Sequence, residues 1–153
     1  MTILQRMTTA QNMLFIERRF DASPAVVFRL WSSPDLLARW WGPRDFTPHS
    51  IEMDFRVGGR WRAVVRSPLG EDTAMYGIYR EIVEDRHIAF GLDGDSGKTQ
   101  VVVTFEGVND TTRLGFHQSP FASQVESEAH VQSWGECFDR LESYLLREHW
   151  NRR

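Results

Sequence analysis

The stretch SQVESEAHVQSWGECFDRLESYLLRE, residues 123–148, decides the fold. Ser123 followed three residues later by Glu126 is a capping box, the mark of a helix start. Beyond it the apolar residues fall at Val131, Trp134, Cys137 and Phe138, Leu141, and Tyr144 and Leu145. Steps of three and four draw one stripe along a helix. The spacing predicts that Trp134, Phe138, Leu141 and Leu145 are the buried stripe of a helix of about 26 residues, roughly 39 Å long. No other segment is long enough to cover a whole sheet.

Upstream of this helix the period changes from 3.6 to 2. Residues 47–55, 60–67, 73–83, 86–92, 99–107 and 111–118 read as six strands, each closed by a turn signal, the pattern of an antiparallel meander. Gly58-Gly59 predicts a tight turn with a positive φ, which glycine adopts without strain. The run Asp93-Gly94-Asp95-Ser96-Gly97 reads as a loop by composition. Ahead of the meander, residues 13–20 form a first strand. Two short helices follow, 24–31 and 35–40, because Ser23-Pro24 and Ser33-Pro34 each place a cap before a first-turn proline. A proline at 34 breaks any single helix running through.

Residues 1–12 are polar and unpatterned, a loose lead-in, and residues 13–150 form one domain. The class is α+β: a curved antiparallel sheet wraps around a long C-terminal helix, with two short helices after the first strand. A sheet with alternating inward residues must bury one face, and the long helix is the available partner.

Composition narrows the function. The formal net charge of −3, with mixed signs along the chain, argues against general nucleic-acid binding. No apolar run approaches the ~20 residues of a membrane span. The N-terminus lacks an apolar signal core, and one cysteine, Cys137, forms no internal disulfide, so the expected location is cytoplasmic. The five histidines show no metal-ligand spacing, and there is no phosphate loop, dinucleotide fingerprint or nucleophile elbow. The expectation is no metal, no nucleotide and no cofactor.

Four segments, in this order and spacing, carry a resemblance: RRFDASPAVVFRLWSSPDLLARWWG, DFRVGGRWR, YGIYREIVEDRHIAF and SWGECFDRLESYL. Together they resemble the activator-of-heat-shock-protein-ATPase homologue family, within the START-like, or Bet v-like, superfamily (SRPBCC). The match runs from about Phe15 to Leu146. It implies a helix-grip fold with a cavity between sheet and C-terminal helix, and no fixed reaction. The chain has no room for the separate N-terminal domain of the full eukaryotic activator, which counts against stimulation of a chaperone ATPase.

Candidate site residues follow from which faces must meet. Trp40 and Trp41 are adjacent on a helix and point apart, so one seals the core while the other lines the cavity mouth. Trp61, Met75, Tyr79, Phe90, Val103, Phe116, Trp134 and Phe138 are apolar lining, with Tyr79 and Gln118 as the sparse polar contacts. A greasy cavity with few polar groups suits a small apolar or amphipathic molecule. The same residues also describe a fully packed core. Glu52 and Asp54 share one strand face, as do Arg60, Arg62 and Arg66 on the next; the expectation is a solvated ladder between them, with anion binding as the sharper alternative. His117 and His130 flank the loop before the long helix, and Cys137 is a buried, inert thiol. Catalysis is not expected from any of these. A protein-interaction or chaperone-linked role, a homodimer, and an enzyme using the same cavity stay open.

Overall fold

The computed structural model describes residues 5–10, 12–95 and 97–151, with side chains through Glu148. Residues 1–4 and 11 of the expected lead-in, Ser96 of the expected loop and the His149 side chain lie outside the described residues. The elements run β1 (Gln5–Ala10), β2 (Met13–Phe20), α1 (Pro24–Ser32), α2 (Pro34–Leu37), β3 (Thr47–Met53), β4 (Arg60–Arg66), β5 (Asp72–Val83), β6 (His87–Gly94), β7 (Gly97–Val108), β8 (Thr111–Ser119) and α3 (Gln124–Asn151). The strands make one antiparallel sheet in the order β1-β2-β8-β7-β6-β5-β4-β3. With α3 laid against it, this is the helix-grip fold of the α+β class.

The caps form as the sequence indicates. Ser23 Oγ accepts from the Val26 N–H and Pro24 opens α1. Ser123 Oγ accepts from the Glu126 N–H, while the Glu126 carboxylate reaches back to the Ala122 N–H. Gly58 takes φ +85° in the β3–β4 turn, and a Cβ on Gly59 would strike the Asp54 carbonyl oxygen at 2.0 Å. Both glycines are therefore required.

Four expectations are corrected. The stretch 5–10 of the lead-in is strand β1, paired to β2 from Gln5↔Arg18 to Ala10↔Met13, so the short helices follow the second strand. The second helix is shorter than 35–40, ending at Leu37, whose carbonyl accepts from both Trp40 N–H and Trp41 N–H. Successive helical residues diverge by about 100°; the tighter turn lets both indoles reach the interior, at 0% and 3% exposure. The 93–97 run is a tight hairpin, since β6 and β7 pair up to Gly94↔Gly97. Leu145 is half-buried, because it lines a partly open groove beside Leu30 and Leu36. The rest of the predicted stripe, Trp134, Phe138 and Leu141, is buried.

One inward position of β2 is charged. Arg18, 2% exposed, sends Nη2 to Asp139 at 2.8 Å and Nη1 to the Gln5 side chain at 3.0 Å and the Gly135 carbonyl at 3.3 Å. It ties β1, β2 and α3 together at a point where an apolar side chain would hold only by packing. On the opposite face, Glu52 pairs with Arg62 across β3–β4, and Arg66 forks onto Asp72 at 2.7 and 3.1 Å. That guanidinium holds the exposed Asp72 carboxyl below its ordinary range. Asp54 bonds Arg56 on its own side of the turn. The charged residues form the solvated ladder.

Candidate ligand-binding cavity

The interior between sheet and α3 has two halves. In the first, the Trp31 ring from α1 is surrounded by Trp40 at 4.6 Å, Phe105, Phe116 and Phe138 each at 6.3 Å, and Phe90 at 6.5 Å between centroids. Most of these pairs are tilted or edge-on, the arrangement that ring quadrupoles favour. Trp40, Val103, Phe116 and Phe138 are 0% exposed. The Trp40 N–H donates to the Leu30 carbonyl at 2.9 Å.

The second half is hollow. A partly open cavity of about 290 Å³ lies between α3, the ends of β5–β8 and the 41–46 loop. Its α3 wall is His130, Ser133, Trp134 and Cys137; its sheet wall includes Val65, Thr73, Met75, Leu92, Gly94, Thr99 and Gln118; its loop wall is Trp41, Gly42, Pro43 and Phe46. The space exists because small residues face one another: Gly94, Gly97 and Thr99 on the sheet oppose Ser133 and Cys137 on the helix.

A polar chain crosses its floor. Trp134 Nε1–H donates to Gln118 Oε1 at 2.9 Å, Gln118 Nε2–H donates to Thr99 Oγ1 at 2.9 Å, and Thr99 O–H donates to the Leu92 carbonyl at 2.6 Å. Gln118 and Thr99 are 1% and 2% exposed, so these bonds satisfy groups that are costly to bury alone. The chain also links α3 to β8, β7 and β6.

The loop wall is held by the helix. Arg140 Nη1 donates toward the carbonyls of Trp41, Gly42, Pro43 and Phe46 at 3.0–3.4 Å, and the Arg44 N–H donates to Glu136 at 2.9 Å. Gly42 has φ +107° and a Cβ there would crowd Val65 and Arg140, so this corner needs glycine. Burial pushes the Cys137 thiol up to about 12, against the smaller opposing pull of a hydrogen bond to the Gly42 backbone. It stays protonated and is a poor nucleophile. His130 stacks on Phe121 at 4.8 Å, with Nδ1 2.9 Å from the Glu126 carbonyl oxygen. A carbonyl only accepts, so Nδ1 carries the proton.

Of the candidate residues, Trp41, Met75, Gln118 and Trp134 lie on the cavity wall. Trp40, Val103, Phe116 and Phe138 fill the solid half instead. Trp61, Tyr79 and Phe90 border a separate space of about 20 Å³ beside Trp31 and Trp41. Trp61 N–H crosses the side-chain-free Gly77 to reach the Gly91 carbonyl at 3.0 Å. Desolvation raises the Tyr79 hydroxyl above its ordinary range. Trp31 and Trp41 each carry a buried indole N–H with no hydrogen-bond partner among the described residues, and both rings border this space, whose size is that of one water. His130 joins the cavity wall, whereas His117 sits half-exposed on β8 beside the inward Gln118. Thr99 and Ser133 were missed by the sequence reading; small polar residues at inward positions were the available signal. Among the described residues no His/Cys/Asp/Glu group is placed to hold a metal, and no helix is long and apolar enough to cross a membrane.

Sheet, helix and cavity together define a helix-grip protein. Residues 21–146 match the family described as Activator of Hsp90 ATPase homolog 1-like protein, and the chain belongs to that family. No curated protein matches the sequence. Among solved structures, a Rhodobacter sphaeroides protein superposes with TM-score 0.83 at 20% identity, covering 94% of this chain and 99% of its own. A Chromobacterium violaceum protein gives 0.81 at 24%, covering 87% and 96%. The AHSA1 protein from Silicibacter pomeroyi gives 0.79 at 23%, covering 90% and 99%. At these identities the likeness is one of fold.

Proposed function

We propose that the chain binds a small apolar or amphipathic molecule in the cavity between the sheet and α3. The observation that carries this reading is the contrast within one interior: a 290 Å³ hollow with a hydrogen-bonded polar floor adjoins a half packed solid with rings. That volume is near the lower end for small-molecule pockets. A ligand losing roughly 300 Å² of apolar surface to the walls gains about 7 kcal/mol before entropy costs. Trp41, Met75, Trp134 and Gln118 are the proposed contacts, and Trp40, Trp61, Phe116 and Phe138 pack against the two tryptophans of that wall. The proposed setting is the cytoplasm, which suits the free Cys137.

The test is a thermal-shift panel of lipids, aromatics and terpenoids, with hits confirmed by calorimetry. At least one class raises the melting temperature saturably, and Ser133→Phe, which fills the cavity from the helix, abolishes the effect while keeping the wild-type circular dichroism spectrum. No shift across the panel defeats the reading.

A second reading has one observation in its favour: His130 and Asp95 both stand on the cavity wall. A histidine and a carboxylate are the groups an acid–base enzyme needs. Turnover of a bound hit that disappears in His130→Gln, with binding retained, would move the assignment to an enzyme. A homodimer or a chaperone contact is read from solution mass with and without the chaperone.

A further inference from the structure

We infer that the cavity selects a neutral ligand bearing a hydrogen-bond-accepting oxygen, a ketone, ester or amide rather than a carboxylate. This rests on the binding reading above and adds the chemistry of the ligand to it.

The argument is an accounting of protons along the cavity floor. An indole N–H only donates and a backbone carbonyl only accepts, so both ends of the polar chain are fixed. Trp134 N–H therefore sets Gln118 Oε1 as acceptor, 2.9 Å away. The amide nitrogen must then face Thr99 Oγ1, also at 2.9 Å. Thr99 cannot return a proton, because its hydroxyl hydrogen goes to the Leu92 carbonyl. The whole chain runs one way. Gln118 Nε2 carries two hydrogens and Thr99 takes one. The second N–H belongs to a residue 1% exposed and on the cavity wall. The oxygens of the chain keep spare lone pairs, but a buried unfilled lone pair is tolerated more readily than a buried unused N–H. The floor thus lacks an acceptor more than it lacks a donor.

Charge separates neutral acceptors from anionic ones. Among the described residues no Lys or Arg lines the cavity, and the ionisable groups on its wall are Asp95, His130 and Cys137. The Arg140 guanidinium stands behind Gly42 with Nη1 already directed at four loop carbonyls. A carboxylate entering this space would lose its hydration without meeting a fixed cation, and Asp95 at the rim would repel it. A neutral carbonyl meets neither cost.

Three probes of one skeleton size test this by calorimetry: 1-tetralone, tetralin and 1-naphthoate. The ketone is expected to bind about tenfold tighter than tetralin, the worth of one buried neutral hydrogen bond, and tighter than the carboxylate. Gln118→Leu alone frees the Trp134 N–H as a substitute donor, so Gln118→Leu is combined with Trp134→Phe; with both N–H donors of the floor removed, the ketone loses its advantage over tetralin. Equal affinity of ketone and hydrocarbon in the wild-type protein overturns the inference and leaves the cavity reading standing. Tightest binding by 1-naphthoate overturns it too. Failure of all three to bind defeats the cavity reading and the inference with it. Should the double variant not fold, the wild-type protein still decides: the Gln118 side-chain amide resonances shift on adding 1-tetralone well beyond their response to tetralin, and equal responses count against the proposal.

Discussion

The solid and hollow halves of the interior lie under the same sheet and against the same helix, yet they are built from different residues. In the solid half α1 and the 38–41 turn send Trp31 and Trp40 inward to meet Phe116 and Phe138, so rings arrive from three sides. In the hollow half no short helix intrudes. A loop held by Arg140 and Glu136 closes one wall, and glycine, threonine, serine and cysteine face one another across the gap. Aromatic content does not mark the cavity, since Trp134 contacts Phe116 at 4.4 Å and Trp41 at 5.2 Å and so belongs to both halves. What marks it is small residues in register on opposing elements.

The largest expected effect tests the solid half. Phe138→Ala removes a 0%-exposed ring that touches Phe20, Trp31, Trp40, Phe116 and Trp134. The expected loss is about 3–5 kcal/mol by denaturant unfolding, the range for a buried Phe. A loss below ~1 kcal/mol would mean that this half is not packed as described.

Gln118→Leu probes the floor of the hollow half. It leaves the Trp134 N–H without its acceptor and removes the donor to Thr99. An unsatisfied buried group costs about 1–3 kcal/mol, less than the Phe138 truncation. Thr99→Val then costs less in the Gln118→Leu background than in wild type, because the pair acts as one chain. Additive losses would show that the chain does not act as a unit.

Much of this architecture was legible in the sequence, for reasons that differ by element. The stripe of α3 and the alternation of β4 and β7 are properties of side chains, and periodicity reports them directly. Strand β1 was not legible. Its residues QRMTTA pair with β2 through the backbone at a sheet edge, and such pairing leaves little trace in hydropathy. The 93–97 run misled for the opposite cause: its composition is that of a loop, while its glycines pair as the last rung of a hairpin. For the site, the divergence of Trp40 and Trp41 put one of the two at the cavity mouth, the α3 stripe placed Trp134, and inward strand positions placed Met75 and Gln118. Trp40, Val103, Phe116 and Phe138 met the same kinds of criteria and went to the solid half, because periodicity says which face a side chain is on and not what stands opposite. Arg18 was invisible as a core residue, since its partners Asp139 and Glu142 lie far along the chain.

Alkaline pH gives a smaller and more general effect. Burial raises both Cys137, from 9.0 to about 12, and Tyr79 above 10.0. The unfolded chain releases these protons first. The stability from keeping both groups neutral is therefore complete below pH 9 and is lost as pH rises toward 12. The melting temperature should fall over that window, and Cys137→Ala should flatten the fall. An unchanged melting temperature up to pH 11 would contradict the buried placement of both groups.

The smallest expected effect distinguishes the halves most sharply. Met75 sits on an inward position of β5, half-buried, with its side chain on the cavity wall. A methionine packed on all sides costs about 2–5 kcal/mol when cut to alanine, because it leaves a hole as well as losing its transfer energy. Around Met75 much of the hole already exists. Its truncation enlarges a space open to solvent, so the cavity contribution largely vanishes and the expected loss is under about 1 kcal/mol. Ligand selection should move with it: probes bulkier than 1-tetralone should gain affinity in Met75→Ala, while 1-tetralone itself loses contact and weakens. Parallel denaturant unfolding of Met75→Ala and Phe138→Ala makes the comparison within one experiment. If Met75→Ala costs more than about 2 kcal/mol, the walls have closed onto this side chain in solution, and the hollow half is as solid as its neighbour.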